Sequence, residues 1–208
     1  MATTSPWPMI HAERRALLAD ARTLDADQWS TPSLCAGWTV RDVFAHLTAT
    51  SMMTPGRFFG KLAGAGFSFQ TMTAKDIAEM NSGTVEDNLS RFSERLEAVT
   101  SPPGPVDAML GEALVHGEDF RKPLGLSREY PTDALARAAD FYRGSNLLIG
   151  AKRRIEGLRL RAVDADWSTG AGPEVVGPMA SLLLAMTGRR AALEDLHGDG
   201  VTTLSARM

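Results

Sequence analysis

Between residues 9 and 24 (MIHAERRALLADARTL) the apolar side chains Ile10, Leu17, Leu18, Ala21 and Leu24 fall at helical spacing, with a charged face behind them. Residues 30–38 (STPSLCAGW) interrupt the pattern with Ser, Pro and Gly and read as a loop. Thr39 then opens a second helix. Thr39-x-x-Asp42 has the form of a capping box, with Asp in place of the usual Glu or Gln. Val43, Phe44 and Leu47 make that helix's apolar face, and Pro55-Gly56 is expected to end or kink it. Residues 58–72 (FFGKLAGAGFSFQTM) are glycine-rich and apolar, carry no clear period, and are expected to be mobile.

A short helical piece is expected at 74–80. A longer helix is expected at 85–99, with Val85, Leu89, Phe92, Leu96 and Val99 inward. SPPGP at 101–105 is a break. Residues 106–120 read as a fourth long helix, although its interior Gly111 and Gly117 each weaken it by roughly 1 kcal/mol relative to Ala. Close approach of a neighbouring helix or a ligand would explain them. Pro131 to Ile149 gives another helix with proline near its first turn. The texture then changes. LRLRAVD at 158–164 alternates like a strand, the turn-rich stretch after it suits a hairpin, and 178–197 returns to helix. The pattern predicts a mainly α protein with a helical part over 1–155 and a small mixed region over 156–208.

Composition adds bounds rather than chemistry. The chain has 208 residues, 44% apolar and 23% charged, with a net charge of -3, which is ordinary for a globular protein. Neither the charge nor the short clusters at 121–123 and 152–154 forms the basic stripe of a nucleic-acid binder. Cys35 is the single cysteine, so no internal disulfide can form and a reducing compartment is expected. The polar, proline-interrupted N-terminus does not read as a signal peptide. Pro178 to Met186, the most apolar later stretch, is about half the length needed to span a bilayer. A cytoplasmic monomer or homodimer without nucleic-acid or membrane partners is expected.

Chemistry centres on few histidines: His11, His46, His116 and His197. Glu112 and His116 stand four apart on one helix, which puts them on the same face. If the second and fourth helices face each other in a bundle, His46 joins them, and bundle cores commonly build metal sites in this way. Two His and one carboxylate leave a coordination position open, as catalytic sites do. Spacing alone does not single this set out, because Asp42 also stands four residues before His46. Asp42 suits the first turn of its helix, where a carboxylate complements the dipole and caps Thr39.

Residues 28–47, QWSTPSLCAGWTVRDVFAHL, resemble the N-terminal signature of the mycothiol-dependent maleylpyruvate isomerase-like proteins, a branch of the DinB-like helical-bundle superfamily. EALVHGEDFRKPLGL at 112–126 resembles the same family's Glu-x-x-x-His-Gly-x-Asp segment, and 167–189 are similar to its small C-terminal region. The likeness covers most of the chain and is weakest over 57–83. It implies a DinB-like four-helix bundle with a small α+β C-terminal segment. It also implies a divalent metal at His46, Glu112 and His116, with zinc the first choice and nickel, cobalt or iron acceptable to the same ligands. It further implies mycothiol as a thiol cofactor, an electrophilic small-molecule substrate, and an isomerase or transferase reaction. The family's isomerase uses a C-terminal arginine, for which Arg159, Arg161 and Arg189 are candidates here.

Other positions carry two readings each. Asp119, and with it Asp42, is a candidate for supporting the ligands from behind, while a surface ion pair with Arg121 or Lys122 is the plainer role for Asp119. Trp38 either lines the mouth of the site or packs on the bundle end. Cys35 is either a reactive thiol or a small buried residue, the commoner outcome. Met52, Met53, Met72 and Met80 either edge an apolar pocket or fill core. His11 and His197 are expected to face solvent. Two other functions compete with the enzyme. One is a non-catalytic metal-bound bundle, which a fourth protein ligand such as Asp42 or Asp119 would favour. The other is a metal-dependent hydrolase.

Overall fold

The structure, a computed structural model, describes residues 5–147 and 149–208. Residues 1–4 of the polar N-terminal stretch, and position 148 within the helix expected over 131–149, lie outside the described residues. The chain forms two compact units, 1–127 and 128–208. The division therefore falls ahead of the last long helix rather than at 155/156. That helix buries Ala134, Leu135, Ala138 and Ala139, and its packing partner lies in the second unit, which carries it there.

The first unit contains α1 (Trp7–Ala21), α2 (Ala26–Trp29), α3 (Val40–Ser51), α4 (Pro55–Gly64), α5 (Phe69–Met80), α6 (Val85–Ser93) and α7 (Asp107–Arg121). Helix α1 packs on α7, α7 on α3, α3 on α6 and α6 on α1, so these four close into a bundle. Leu17, Leu18, Ala21, Val43, Phe44, Leu47, Phe92 and Phe120 fill its core. Phe44 sits at the middle, its ring 4.9 Å from Phe92 and 5.5 Å from Trp29. Helix α5 lies along α3, and α4 lies along α5.

Several expectations change in this unit. The presumed charged back of α1 is not solvent-facing throughout, because Glu13 and Arg14 are buried. Arg14 Nη1 donates to the carbonyls of Arg95 and Ala98 at 3.1 and 2.8 Å. Those carbonyls are thereby engaged outside a helix. Helix α6 stops at Ser93 instead of reaching residue 99, and Val99 is exposed rather than inward. Pro55 does not kink α3, which ends at Ser51; it opens α4 as the first helical residue behind the Thr54 cap. The glycine-rich segment is thus largely helical. Helix α4 has no buried residue, which explains why no inward period was visible. Helix α5 begins at Phe69, five residues before the expected start. Met53, Met72 and Met80 are buried and fill core, and Met52 packs against the α3–α5 contact.

The second unit contains α8 (Thr132–Gly144), α9 (Ala151–Arg154), β1 (Arg159–Ala162), β2 (Ser168–Gly170), β3 (Glu174–Gly177), α10 (Met179–Met186) and α11 (Val201–Ser205). Strand β1 is central, with β2 antiparallel on one edge and β3 parallel on the other. The chain crosses the end of β1 between β2 and β3, and two glycines make this possible. A Cβ at Gly170 would lie 2.1 Å from the Leu158 carbonyl oxygen, and one at Gly172 the same distance from that of Gly157. Helix α8 ends at Gly144 and α10 at Met186, both earlier than expected. A 3₁₀ turn at Arg190–Asp195 replaces the rest of the second. His197 is exposed, but its backbone pairs with Val176 rather than closing a helix.

Candidate metal centre

Helix α3 starts where the sequence says it should. Thr39 Oγ1 accepts from the Asp42 N–H, and Asp42 Oδ2 accepts from the Thr39 N–H at 2.9 Å, a complete capping box. Asp42 Oδ1 accepts from Asn81 Nδ2 at 2.8 Å. Both oxygens are therefore engaged at the helix start, which corrects the placement of Asp42 as a support for the ligands. One turn further along α3, His46 points toward α7.

Helix α7 meets it with Glu112 and His116. His46 Nε2 lies 3.0 Å from Glu112 Oε2, and His116 Nε2 lies 3.4 Å from the same oxygen. The three ligand atoms lie within 4.8 Å of one another. Bond lengths of about 2.0–2.1 Å to a tetrahedral ion would put neighbouring donors about 3.3 Å apart, so this donor set fits a divalent metal. Both histidines are largely buried, while Glu112 is 31% exposed and reaches a groove also lined by Arg14, Leu47, Thr50 and Met109. Gly111 and Gly117 both fall on the buried side of α7.

Behind His116, Nδ1–H donates to Asp119 Oδ2 at 2.8 Å, and Asp119 is fully buried. A carboxylate on the far nitrogen fixes the ring and leaves Nε2 for Glu112 and His46. Arg121 Nε donates to Asp20 at 2.6 Å. Without an ion, burial alone would push the His116 pKa down. The Glu112 charge and the hydrogen bonds to Asp119 and Cys35 outweigh it and raise the pKa to about 10.

The loop before α3 closes the site. Trp38 lies over both imidazoles, with ring centroids 5.2 Å from His46 and 6.1 Å from His116, and it also packs against the bundle core. The loop is tied to α7 through Leu34 N–H, which donates to the Asp119 carbonyl at 3.4 Å. That tie brings Cys35 Sγ to 3.1 Å from Asp119 Oδ2 and 3.6 Å from His116 Nδ1. Cys35, which the sequence left as either a reactive thiol or a small buried residue, is only partly buried and lies beside the site. The one signal of that placement in the sequence was its position inside the 28–47 signature.

The arginine candidates lie in the second unit. Arg159 and Arg161 are on the exposed face of β1, 3.5 and 3.8 Å from Glu174, and Arg189 Nη1 donates to the Thr187 carbonyl. His11, expected in solvent, has its side chain only 12% exposed. Its Nδ1 lies 3.0 Å from Glu97, and its ring stacks on Trp7. Among the described residues no helix is long and apolar enough to cross a membrane.

A helical bundle with a small α+β segment and two histidines and a glutamate at one helix pair defines the class, a DinB-like fold. Residues 10–104 match the family model described as the mycothiol maleylpyruvate isomerase N-terminal domain. Crystal structures of the mycothiol-dependent maleylpyruvate isomerase and of a histidine-to-alanine mutant of it are similar to this chain. Both give a TM-score of 0.62, at 14% and 15% identity, over 93% of this chain and 91% of theirs. At that identity the likeness establishes the fold. No curated protein matches the chain.

Proposed function

We propose that His46, Glu112 and His116 hold one divalent metal, zinc in the first instance, and that the protein is a mycothiol-dependent enzyme, an isomerase or a thiol transferase. The observation that carries this reading is the convergence of three ligand atoms from two helices on one point. Such an ion would stabilise the thiolate form of a bound thiol near neutral pH, making it a nucleophile toward an electrophilic carbon. Of the chain's own groups, Asp119 orients His116, and Trp38 covers the two imidazoles and limits water around them. Asp42 is engaged at its cap, and Asp119 faces the opposite nitrogen of His116. Both positions favour an open coordination site over one closed by a fourth protein ligand.

The test is turnover by zinc-loaded protein with mycothiol and either maleylpyruvate or a panel of conjugated and strained electrophiles. Thiol-dependent turnover that disappears in His46→Ala supports the reading. Folded, metal-loaded protein that shows no thiol-dependent reaction with any of them overturns it.

A further inference from the structure

His116 presents its two ring nitrogens to two different groups of ligand-type atoms. Nε2 faces His46 and Glu112, whereas Nδ1 faces Cys35 and Asp119, and each group's ligand atoms lie within 4.8 Å of one another. We propose that Cys35 Sγ, His116 Nδ1 and Asp119 Oδ2 form a second cation site, selective for sulfur-preferring divalent metals such as zinc or cadmium.

Three observations carry this. The first is the donor set, one thiol, one imidazole and one carboxylate, which suits a softer cation than the His46 site does. The second is spacing. Bonds of about 2.3 Å to sulfur and about 2.0–2.1 Å to nitrogen or oxygen put tetrahedral sulfur and nitrogen donors about 3.5–3.6 Å apart. Cys35 Sγ and His116 Nδ1 are 3.6 Å apart. The sulfur–oxygen and nitrogen–oxygen pairs, at 3.1 and 2.8 Å, have to open by about half an ångström. The third is Asp119 itself, a fully buried carboxylate. Burying a carboxylate is unfavourable unless it is hydrogen-bonded or faces positive charge. Here it shares one oxygen between an imidazole N–H and a thiol S–H, the two groups that become ligands once those protons leave. On metal binding both protons go to solvent, one from Sγ and one from Nδ1, and the cation takes their place on the carboxylate. The site shares His116 with the proposed catalytic set, so filling both at once would make the ring a bridging imidazolate; Cys35 and His46 each belong to one set and tell the two apart.

The experiment is a Co²⁺ titration of the metal-free full chain, read by absorption. A thiolate-to-cobalt charge-transfer band is expected in the wild type, and it can come only from Cys35, the single cysteine. The band should survive in His46→Ala with affinity changed less than threefold, because that variant dismantles only the neighbouring set. Asp119→Asn should weaken the band's Co²⁺ affinity at least tenfold. Cys35→Ser should lose the band and keep any ligand-field absorption of the His46 set. If that set does not bind, the wild-type band persists and Cys35→Ser shows neither charge-transfer nor ligand-field absorption. Absence of the band at saturating Co²⁺, its loss in His46→Ala, or unchanged affinity in Asp119→Asn overturns the proposal. Should Asp119→Asn fail to fold, Cd²⁺ protection of Cys35 from iodoacetamide in the wild type and in His46→Ala decides. At least tenfold slower alkylation in both supports the site, and unprotected alkylation overturns it.

Discussion

Asp119 holds His116 by its Nδ1–H at 2.8 Å, from a position with no solvent exposure. This bond sets which nitrogen of the imidazole faces Glu112 and His46. A group that aims a ligand contributes to affinity without touching the ion, typically by 10–100-fold. Asp119→Asn is therefore expected to lower zinc affinity at the His46 set by about 10–100-fold, measured by competition with a chromophoric chelator. Affinity within a factor of two of wild type would remove Asp119 from its orienting role.

The ligands themselves should be less tolerant. In protein dialysed against trace zinc, His46→Ala is expected to lose the zinc of the His46 set and His116→Ala to lose zinc from both sets, as read by elemental analysis. Full metal content in both would sink the ligand assignment.

Asp42 separates a cap from a ligand. Its two oxygens engage the Thr39 N–H and Asn81. Asp42→Ala should destabilise the fold by about 1 kcal/mol, seen as a lower urea midpoint with unchanged slope. Its zinc content should match wild type. A metal loss like that of His46→Ala would contradict the cap reading.

In protein stripped of metal, the raised pKa of His116, about 10 against 6.5, has a defined sign. The protonated imidazolium is favoured in the folded state. Its stabilising contribution is complete below about pH 6.5 and is lost as pH rises through about 10. The urea midpoint should thus fall over that window, and His116→Gln should flatten the fall. An ion binding at Nε2 must displace the proton, so apparent zinc affinity should rise up to about tenfold per pH unit below pH 10. Affinity independent of pH between 7 and 9 would argue against displacement of a proton from His116.

Phe44 touches Trp29, Phe92 and Phe120 at the bundle centre. Phe44→Ala is expected to destabilise by about 3–5 kcal/mol, checked by chemical denaturation. A loss below about 1 kcal/mol would mean that the core collapses around the gap.

Where one helix buries a single stripe, the sequence was readable. Ile10, Leu17, Leu18 and Ala21 of α1 and Val43, Phe44 and Leu47 of α3 repeat at the helical period and are buried as that period requires. The α3 start was equally plain, because a capping box is satisfied within four residues. Helix α4 was not readable, since it buries none of its residues and so leaves no inward stripe. The end of α6 was not readable either, because a side chain from α1, Arg14, engages the carbonyls of Arg95 and Ala98.

The chain alone determined that Glu112 and His116 share a helix face; a bundle with the second and fourth helices facing each other would bring His46 to them, and the resemblance to a family implied the same three residues. The approach of His46 to Glu112 at 3.0 Å depends on α3 and α7 packing side by side, a contact between residues 66 positions apart that no local spacing encodes. The same holds for Cys35. Its sulfur reaches His116 and Asp119 only because the loop before α3 is tied to α7 by a backbone hydrogen bond. Local hydrogen bonding and periodicity decide helices within a few residues. Long-range packing decides which side chains converge, and so which nitrogen of His116 faces which group.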